Sequence, residues 1–399
     1  MKVLFVFGGL PHYYNAILNR LNNVPNLEIE VIVPTAKSST VGAGVHQSEK
    51  GISFKVHRLE EYSTILKKPF FKGIQSKIKE INPDAVVVGW PYIIFFWCNP
   101  FLRSFLRRNN IKLICKEIPF NIPKYDDILS GKEIAYFEEN SYSKVPKSKT
   151  QLKLLGILYK GYFNLADAHV NYVDSAFEIL GSYGVPKEKI FITYNSIDTD
   201  ALLKEIANAE RKPLKKTVLH VGRLIKWKKV DLLIRAHVEL VRKHPDAELQ
   251  IIGDGPEMTA LKKLAEELGI SKNVNFLGKI YDAELGKYFL GSSVYVLAGM
   301  GGLSINEAMC YSLPVVVAEC DGTEKKLLRD GFNGKYFISD DHKDLANQID
   351  FVISNDERNV ELGKNSLSII KNEINVNTVI KGYLDAFNFV TQNKNKLSM

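Results

Sequence analysis

Short runs of β-branched and aliphatic residues alternate along this chain with longer stretches in which apolar residues recur every three or four positions. KVLFVF, starting at Lys2, precedes a helical pattern near Tyr14 to Leu21. LEIEVIVP, DAVVVGW, IKLICKEI and AHVNYV follow, the last leading into a helical pattern near Ala176 to Gly181. Beyond Asn195-Ser196-Ile197-Asp198 the chain turns polar and basic through ERKPLKK, with Pro213, which reads as a linker. A second series then begins with TVLHVG, a helix from Val230 to about Lys243, AELQIIG and a helix from Pro256 to Leu268. VNFLG, VYVLAG, a helix from Leu303, PVVVAE and GKYFI complete it. Strands that alternate with amphipathic helices predict parallel sheets with crossover helices, hence two doubly wound α/β domains in tandem. The expected boundaries are residues 1–195 and 196–375, with a last helix in 376–399 packing back on the first domain. Ligands on such sheets bind at the carboxyl ends of the strands.

Ala85 to Leu102 carries no charge and has about the length of a bilayer span. Pro91, Asn99 and Pro100 divide it, so it reads as a strand, a loop and a short apolar helix. The opening MKVLFVFGG is too short for a signal sequence and reads as a first strand, which points to a cytoplasmic protein.

At 399 residues the chain exceeds one ordinary core, and 45% hydrophobic with 25% charged residues fits a globular enzyme. Its 53 basic and 45 acidic residues leave a net charge of +8, well short of a dedicated nucleic-acid binder. The basic excess clusters at Lys67 to Lys72, Arg103 to Arg108 and Lys144 to Lys153, interleaved with Phe and Leu. That pattern suits either a solvated face or peripheral contact with an anionic membrane at the inner face of the plasma membrane. The four cysteines, Cys98, Cys115, Cys310 and Cys320, show no metal-like spacing and are expected as buried thiols in a reducing compartment.

Three stretches carry candidate chemistry. IIGDGPEMTALKKLAEELG is a strand, the Gly253-Asp254-Gly255 turn and a helix opened by Pro256. A dinucleotide fingerprint would place a third glycine at Met258, so an NAD site is disfavoured. In VLHVGRLIKWKKVDLLI, Gly222 ends a strand, and Arg223 and Lys228 flank the turn into a helix. Such a pair either clamps a phosphate or diphosphate or is an exposed basic turn. In GMGGLSINEAM, Gly299, Gly301 and Gly302 lead into a helix from Leu303, where backbone N–H groups can hold an anion. Glu307, a turn further on, either accepts ribose hydroxyls or complements the helix dipole.

Taken in order, VGRL, KKVDLLI, IIGDGP, NVNFLG, GLSINEAMCYSLPVVVAE and GTEKKLLRDGFNG, with YNSIDTD upstream, resemble the C-terminal half of retaining glycosyltransferases of the group 1 type, family 4, with the GT-B fold. The resemblance runs from about residue 160 to 350. It implies two Rossmann-like domains facing across a cleft, with a nucleoside-diphosphate sugar in the second and a hydroxyl acceptor in the first. The basic and aromatic clusters of the first half suggest that this acceptor is a saccharide or lipid-linked saccharide of polysaccharide or glycoconjugate assembly, and no metal or other cofactor is expected. Arg223 and Lys228 match the pair that grips the donor diphosphate, and Glu307 matches the ribose-binding acid. Phe276-Leu277-Gly278 matches the segment facing the base, Gly302 and Leu303 the loop against diphosphate and sugar, and Glu324 a recurrent acid after that loop. Gly9, Gly222, Gly253, Gly299 and Ser304 complete the expected donor set.

Two departures stand out. The first acid of the family's paired-glutamate motif falls at Gly299, and the glycine that usually follows the motif lysine is Lys229. In the first half no histidine follows the fourth strand. Glu117 is the replacement candidate, with an acid paired to Lys116 or capping a loop as the alternative. His12, after Gly8-Gly9, is a candidate for the acceptor side. His169 reads as buried structure, and Ser175 with Glu178 as a capping box. Rival readings are a sugar-nucleotide 2-epimerase of the same fold and a non-catalytic nucleotide-sugar-binding protein.

Overall fold

A computed structural model describes residues 1–36, 47–63, 68–117, 122–131, 135–138, 141–146, 148–211, 216–320 and 322–391. Lys67, Lys147 and most of the expected linker, including Pro213, lie outside the described residues. The chain divides into two compact units. One comprises Met1–Glu138, Ser143–Tyr194 and Asn377–Met399; the other is chiefly Asn195–Val376.

The first unit is built on strands β1 (Lys2–Val6), β2 (Glu28–Pro34), β3 (Lys55–Leu59), β4 (Ala85–Gly89), β5 (Lys112–Glu117), β6 (Ala168–Asn171) and β7 (Ile190–Ile192). They form one seven-stranded sheet in the order β7-β6-β5-β4-β1-β2-β3. Every pairing is parallel. Valines 86, 87 and 88 are fully buried, as expected of a strand covered on both faces. The apolar stretch after β4 forms two helices, Ile93–Cys98 and Pro100–Arg108. Asn99 divides them and caps the second by accepting from the N–H groups of Phe101 and Leu102. Among the described residues no helix is long and apolar enough to cross a membrane.

The last helix, Val376–Thr391, sets Tyr383 and Phe387 one turn apart against Phe5, at ring distances of 6.0 and 6.4 Å. The Tyr383 hydroxyl bonds that of Tyr14.

The second unit contains β8 (Thr217–Val221), β9 (Glu248–Ile252), β10 (Val274–Gly278), β11 (Val294–Leu297), β12 (Val315–Ala318) and β13 (Gly334–Phe337). Its sheet runs β10-β9-β8-β11-β12-β13, again parallel throughout. The order reverses beside β8, the switch point at which doubly wound sheets place their ligands.

Three expectations need correction. Cys98 and Cys320 are exposed, and only Cys115 and Cys310 are buried; the first two sit at a helix end and beyond a strand end, where the apolar runs stop. Ser175 makes no capping bond, because its backbone is already helical, and Glu178 pairs with Lys124 at 2.5 Å instead. The helix expected from Pro256 begins at Met258. The turn before it is diverted: the Glu257 N–H donates to the Leu224 carbonyl at 3.1 Å and ties the two loops together.

Candidate functional site

At the carboxyl edge of the second sheet, backbone bonds draw three strand ends into one row. The Gly222 N–H donates to the Ile252 carbonyl at 2.9 Å, the Gly253 N–H to the Gly278 carbonyl at 2.7 Å, and the Leu224 N–H to the Asp254 carbonyl at 3.0 Å. The Gly253-Asp254-Gly255 turn owes its glycines to this row. A Cβ on Gly253 would overlap the Gly222 carbonyl, and one on Gly255 the Leu224 carbonyl. Leu277, at the end of β10, is half-buried beside them.

After Gly222 the chain passes Arg223, makes a single 3₁₀ turn over Lys226–Lys228 and enters the helix Val230–Lys243. Lys229, between the two, is left-handed, with φ 49° and ψ 41°. Glycine adopts that conformation without steric cost, whereas a residue with a Cβ gives up about 1–2 kcal/mol. The Lys229 ammonium reaches Asp340 at 2.6 Å, an ion pair that supplies part of the compensation. The second departure from the family pattern is thus a backbone position that still has the shape of a glycine.

The glycine-rich loop after β11 lies directly against this segment. The Met300 N–H donates to the Trp227 carbonyl at 3.0 Å. A Cβ on Gly299 would overlap that carbonyl and stand 2.8 Å from the Lys228 Cα. A Cβ on Gly301, where φ is +139°, would overlap the Lys228 ammonium itself. Lys228 Nζ is therefore seated on the turn that opens the helix Leu303–Cys310. The N-cap residue of that helix, Gly302, has no side chain to cap it, and the first N–H groups of a helix have no partner within it. The Arg223 guanidinium lies 5.7 Å from the Trp227 ring centroid, so the residue anchored to Met300 also orients the second cation. Arg223 and Lys228 are both half-buried, and both lie on the segment between β8 and the helix Val230–Lys243.

Glu307 is half-buried one turn into the helix. Its charge registers on its neighbours: burial first, and then Glu307, pushes the Cys310 thiol up to about 12 and the Tyr311 hydroxyl well above its usual range. Ser304 is engaged within the unit, since the Tyr295 hydroxyl donates to its Oγ at 2.6 Å. Glu324 is a loop brace. It is 2% exposed, and its carboxylate accepts the N–H groups of Cys320 and Gly322, each at 3.0 Å.

The first-unit candidates fall in different settings. Glu117 ends β5 with its side chain turned into the core. It accepts the Trp90 N–H at 3.1 Å, and burial pushes its carboxyl up to about 8, with the positive charge of Lys116 acting in the opposite sense. His12 is exposed at the start of its helix, edge-on to Tyr13 at 5.6 Å. Gly9 borders a cavity of about 480 Å³ with Gly8, Gln47, Arg58 and others at the carboxyl ends of β1 to β3. His169 is fully buried. Two residues of the second-unit corner escaped the sequence reading. Trp227 is an aromatic between lysines that signalled only a basic turn, and His220 hides in the apolar pattern of β8.

Residues 204–368 match the family model described as glycosyl transferases group 1. An uncharacterized glycosyltransferase of Haemophilus influenzae is 32% identical over 154 residues, covering 38% of this chain and 43% of that protein. The α-monoglucosyldiacylglycerol synthase of Acholeplasma laidlawii is 28% identical over 248 residues, covering 59% of this chain and 57% of that protein. The chain thus spans about half the length of these curated relatives. Among solved structures, Anabaena HepE in complex with UDP aligns with a TM-score of 0.67 at 17% identity, over 97% of this chain and 100% of that one. Sucrose-phosphate synthase of Thermosynechococcus elongatus aligns at 0.69 and 14% identity, over 98% and 99%. These likenesses show the fold, GT-B.

Proposed function

We propose, on the match of residues 204–368 to the model of the group 1 glycosyl transferases, that the chain moves a sugar from a nucleoside-diphosphate donor to a hydroxyl of a saccharide or lipid-linked saccharide, retaining the anomeric configuration. One observation carries the reading: the Lys228 ammonium rests on the Gly301 turn, at the start of the helix Leu303–Cys310. A diphosphate placed there meets an ammonium, the Arg223 guanidinium and helix N–H groups together. All three strengthen their hold as negative charge builds on the leaving diphosphate, which is how a fixed electropositive corner lowers a barrier. In this reading the charge is neutralised by side chains rather than by a resident metal, and Glu307 accepts ribose hydroxyls. The acceptor belongs to the first unit.

A thermal-shift panel of UDP, GDP, ADP and TDP with their sugars tests the donor class. One family of ligands is expected to stabilise the protein, by about 2.7 kcal/mol at a hundredfold excess over its dissociation constant. No shift with any of them would remove the reading. Epimerised sugar appearing with donor alone would favour a 2-epimerase instead. Glu307→Gln is expected to weaken nucleotide binding about tenfold, the loss of a charge-assisted bond; an unchanged calorimetric affinity contradicts the ribose role.

The lipid-linked acceptor draws its support from exposed apolar and basic residues on two helices of the first unit. Phe101, Leu154 and Ile157 are 79%, 63% and 58% exposed. Arg107, Arg108 and Lys153 are exposed on the same two helices, Pro100–Arg108 and Lys149–Phe163. Exposed residues of these kinds suit the headgroup region of an anionic bilayer. Co-sedimentation with phosphatidylglycerol vesicles is expected, with release on Phe101→Ser/Leu154→Ser. Equal recovery on neutral phosphatidylcholine vesicles contradicts it.

A further inference from the structure

His220 is fully buried at the penultimate position of β8. Its Nδ1 lies 3.1 Å from the Val296 carbonyl, which can only accept, so the ring proton sits on Nδ1 and Nε2 presents a lone pair. Among the described residues that Nε2 has no hydrogen-bond partner. Leaving a buried acceptor unmade is costly, and an apolar side chain would fill the place at no such cost. The atom faces the corner described above. A Cβ on Gly222 would stand 3.5 Å from His220 Nε2 and 3.8 Å from Lys228 Cε, so the glycine leaves the imidazole and the lysine stem bordering one small gap.

We propose that His220 is a positioning residue for Lys228: its Nε2 accepts one proton of the ammonium when a diphosphate occupies the corner. This rests on the donor-site reading above. An ammonium carries three protons, and two of them suffice for the phosphate oxygens. The ammonium lies at Gly301, beside the backbone that an anion would approach, and its stem passes Gly222. Within that seat, the proton on the Gly222 side is the one that finds an acceptor in the imidazole, while the other two face the anion. The acceptor has to be neutral, because a carboxylate in its place would cancel the charge that the diphosphate needs. Burial, with the Lys228 charge adding to it, holds the imidazole down to about 4, so it stays uncharged through the physiological range.

The test uses the full chain and inorganic pyrophosphate, with UDP as the second probe, and reads the ¹⁵N resonance of His220 Nε2. On saturation that resonance is expected to move in the direction of a hydrogen-bonded nitrogen in the wild type and to stay in place in Lys228→Met. A resonance that ignores ligand, or moves equally in Lys228→Met, overturns the proposal while leaving the donor site standing. If neither probe binds the wild type, the donor-site reading fails and this inference with it. His220→Phe keeps the ring volume without the acceptor and is expected to weaken UDP about fivefold, the scale of one lost hydrogen bond. His220→Gln restores an acceptor at the Nε2 position and should recover most of that loss. Equal affinities in both variants and the wild type also overturn it, and a uniform loss in Phe and Gln alike assigns His220 to packing.

Discussion

Lys228→Ala is expected to lower turnover by about two orders of magnitude with the fold intact, and Arg223→Ala by a similar factor, the scale of removing one fixed donor to developing negative charge. The reason lies in how the two cations are held. Lys228 is seated on the Gly301 turn by a backbone that Met300 bonds through Trp227, and Arg223 stacks on that tryptophan. Neither has to be ordered at the moment of reaction, so each contributes its full charge when the diphosphate departs. Both are half-buried, where screening by solvent is weaker than at an open surface. The separation of kcat from KM is informative. A group that acts on the leaving diphosphate lowers kcat and kcat/KM together, whereas one that only binds the donor raises KM. Near-normal turnover in both variants would dissolve the clamp.

The second large effect is expected at Gly299. Restoring the family's acid with Gly299→Glu should abolish transfer and destabilise the protein by about 1–3 kcal/mol, as overpacking does. A Cβ there overlaps the Trp227 carbonyl and crowds the Lys228 backbone, so the loop must move off the segment that carries both cations. The Met300–Trp227 bond is then lost, and with it the seat of Lys228. Gly299→Ala should show much of the same loss without the carboxylate, which separates the packing effect from the charge. Gly291→Ala is the control: a Cβ there meets nothing within 4 Å, and the melting temperature should hardly change. If Gly299→Glu were as active as the wild type, the loop would be tolerant, and the missing acid would have to be explained through the sugar instead.

The helices and strands of both units were legible because parallel strands buried on both faces read as unbroken apolar runs, and the crossover helices keep their own period. The corner of the second unit was legible for a related reason. Gly222, Arg223 and Gly302 sit in the loops that follow a strand, and Lys228 and Glu307 lie further on, in the turn and the helix those loops lead into, where this topology gathers its ligand-facing ends. What the sequence hid were contacts between those loops. Nothing local to Gly299 says that it abuts Trp227, more than a turn's reach away in sequence, and Lys229 carries no mark of its left-handed backbone. Glu117 shows the limit at a buried strand: both faces are apolar, so alternation cannot say which way its carboxyl points, and the structure turns it beneath Trp90. His220 was invisible because a single polar residue within an apolar run leaves the strand pattern unchanged.

A crystal structure with a bound nucleoside diphosphate tests the account most directly. Its terminal phosphate is expected within about 3 Å of Lys228 Nζ, the Arg223 guanidinium and a backbone N–H at the start of the helix Leu303–Cys310. A nucleotide bound elsewhere in the chain, or one whose phosphates face solvent with both cations uncoupled from them, would contradict it.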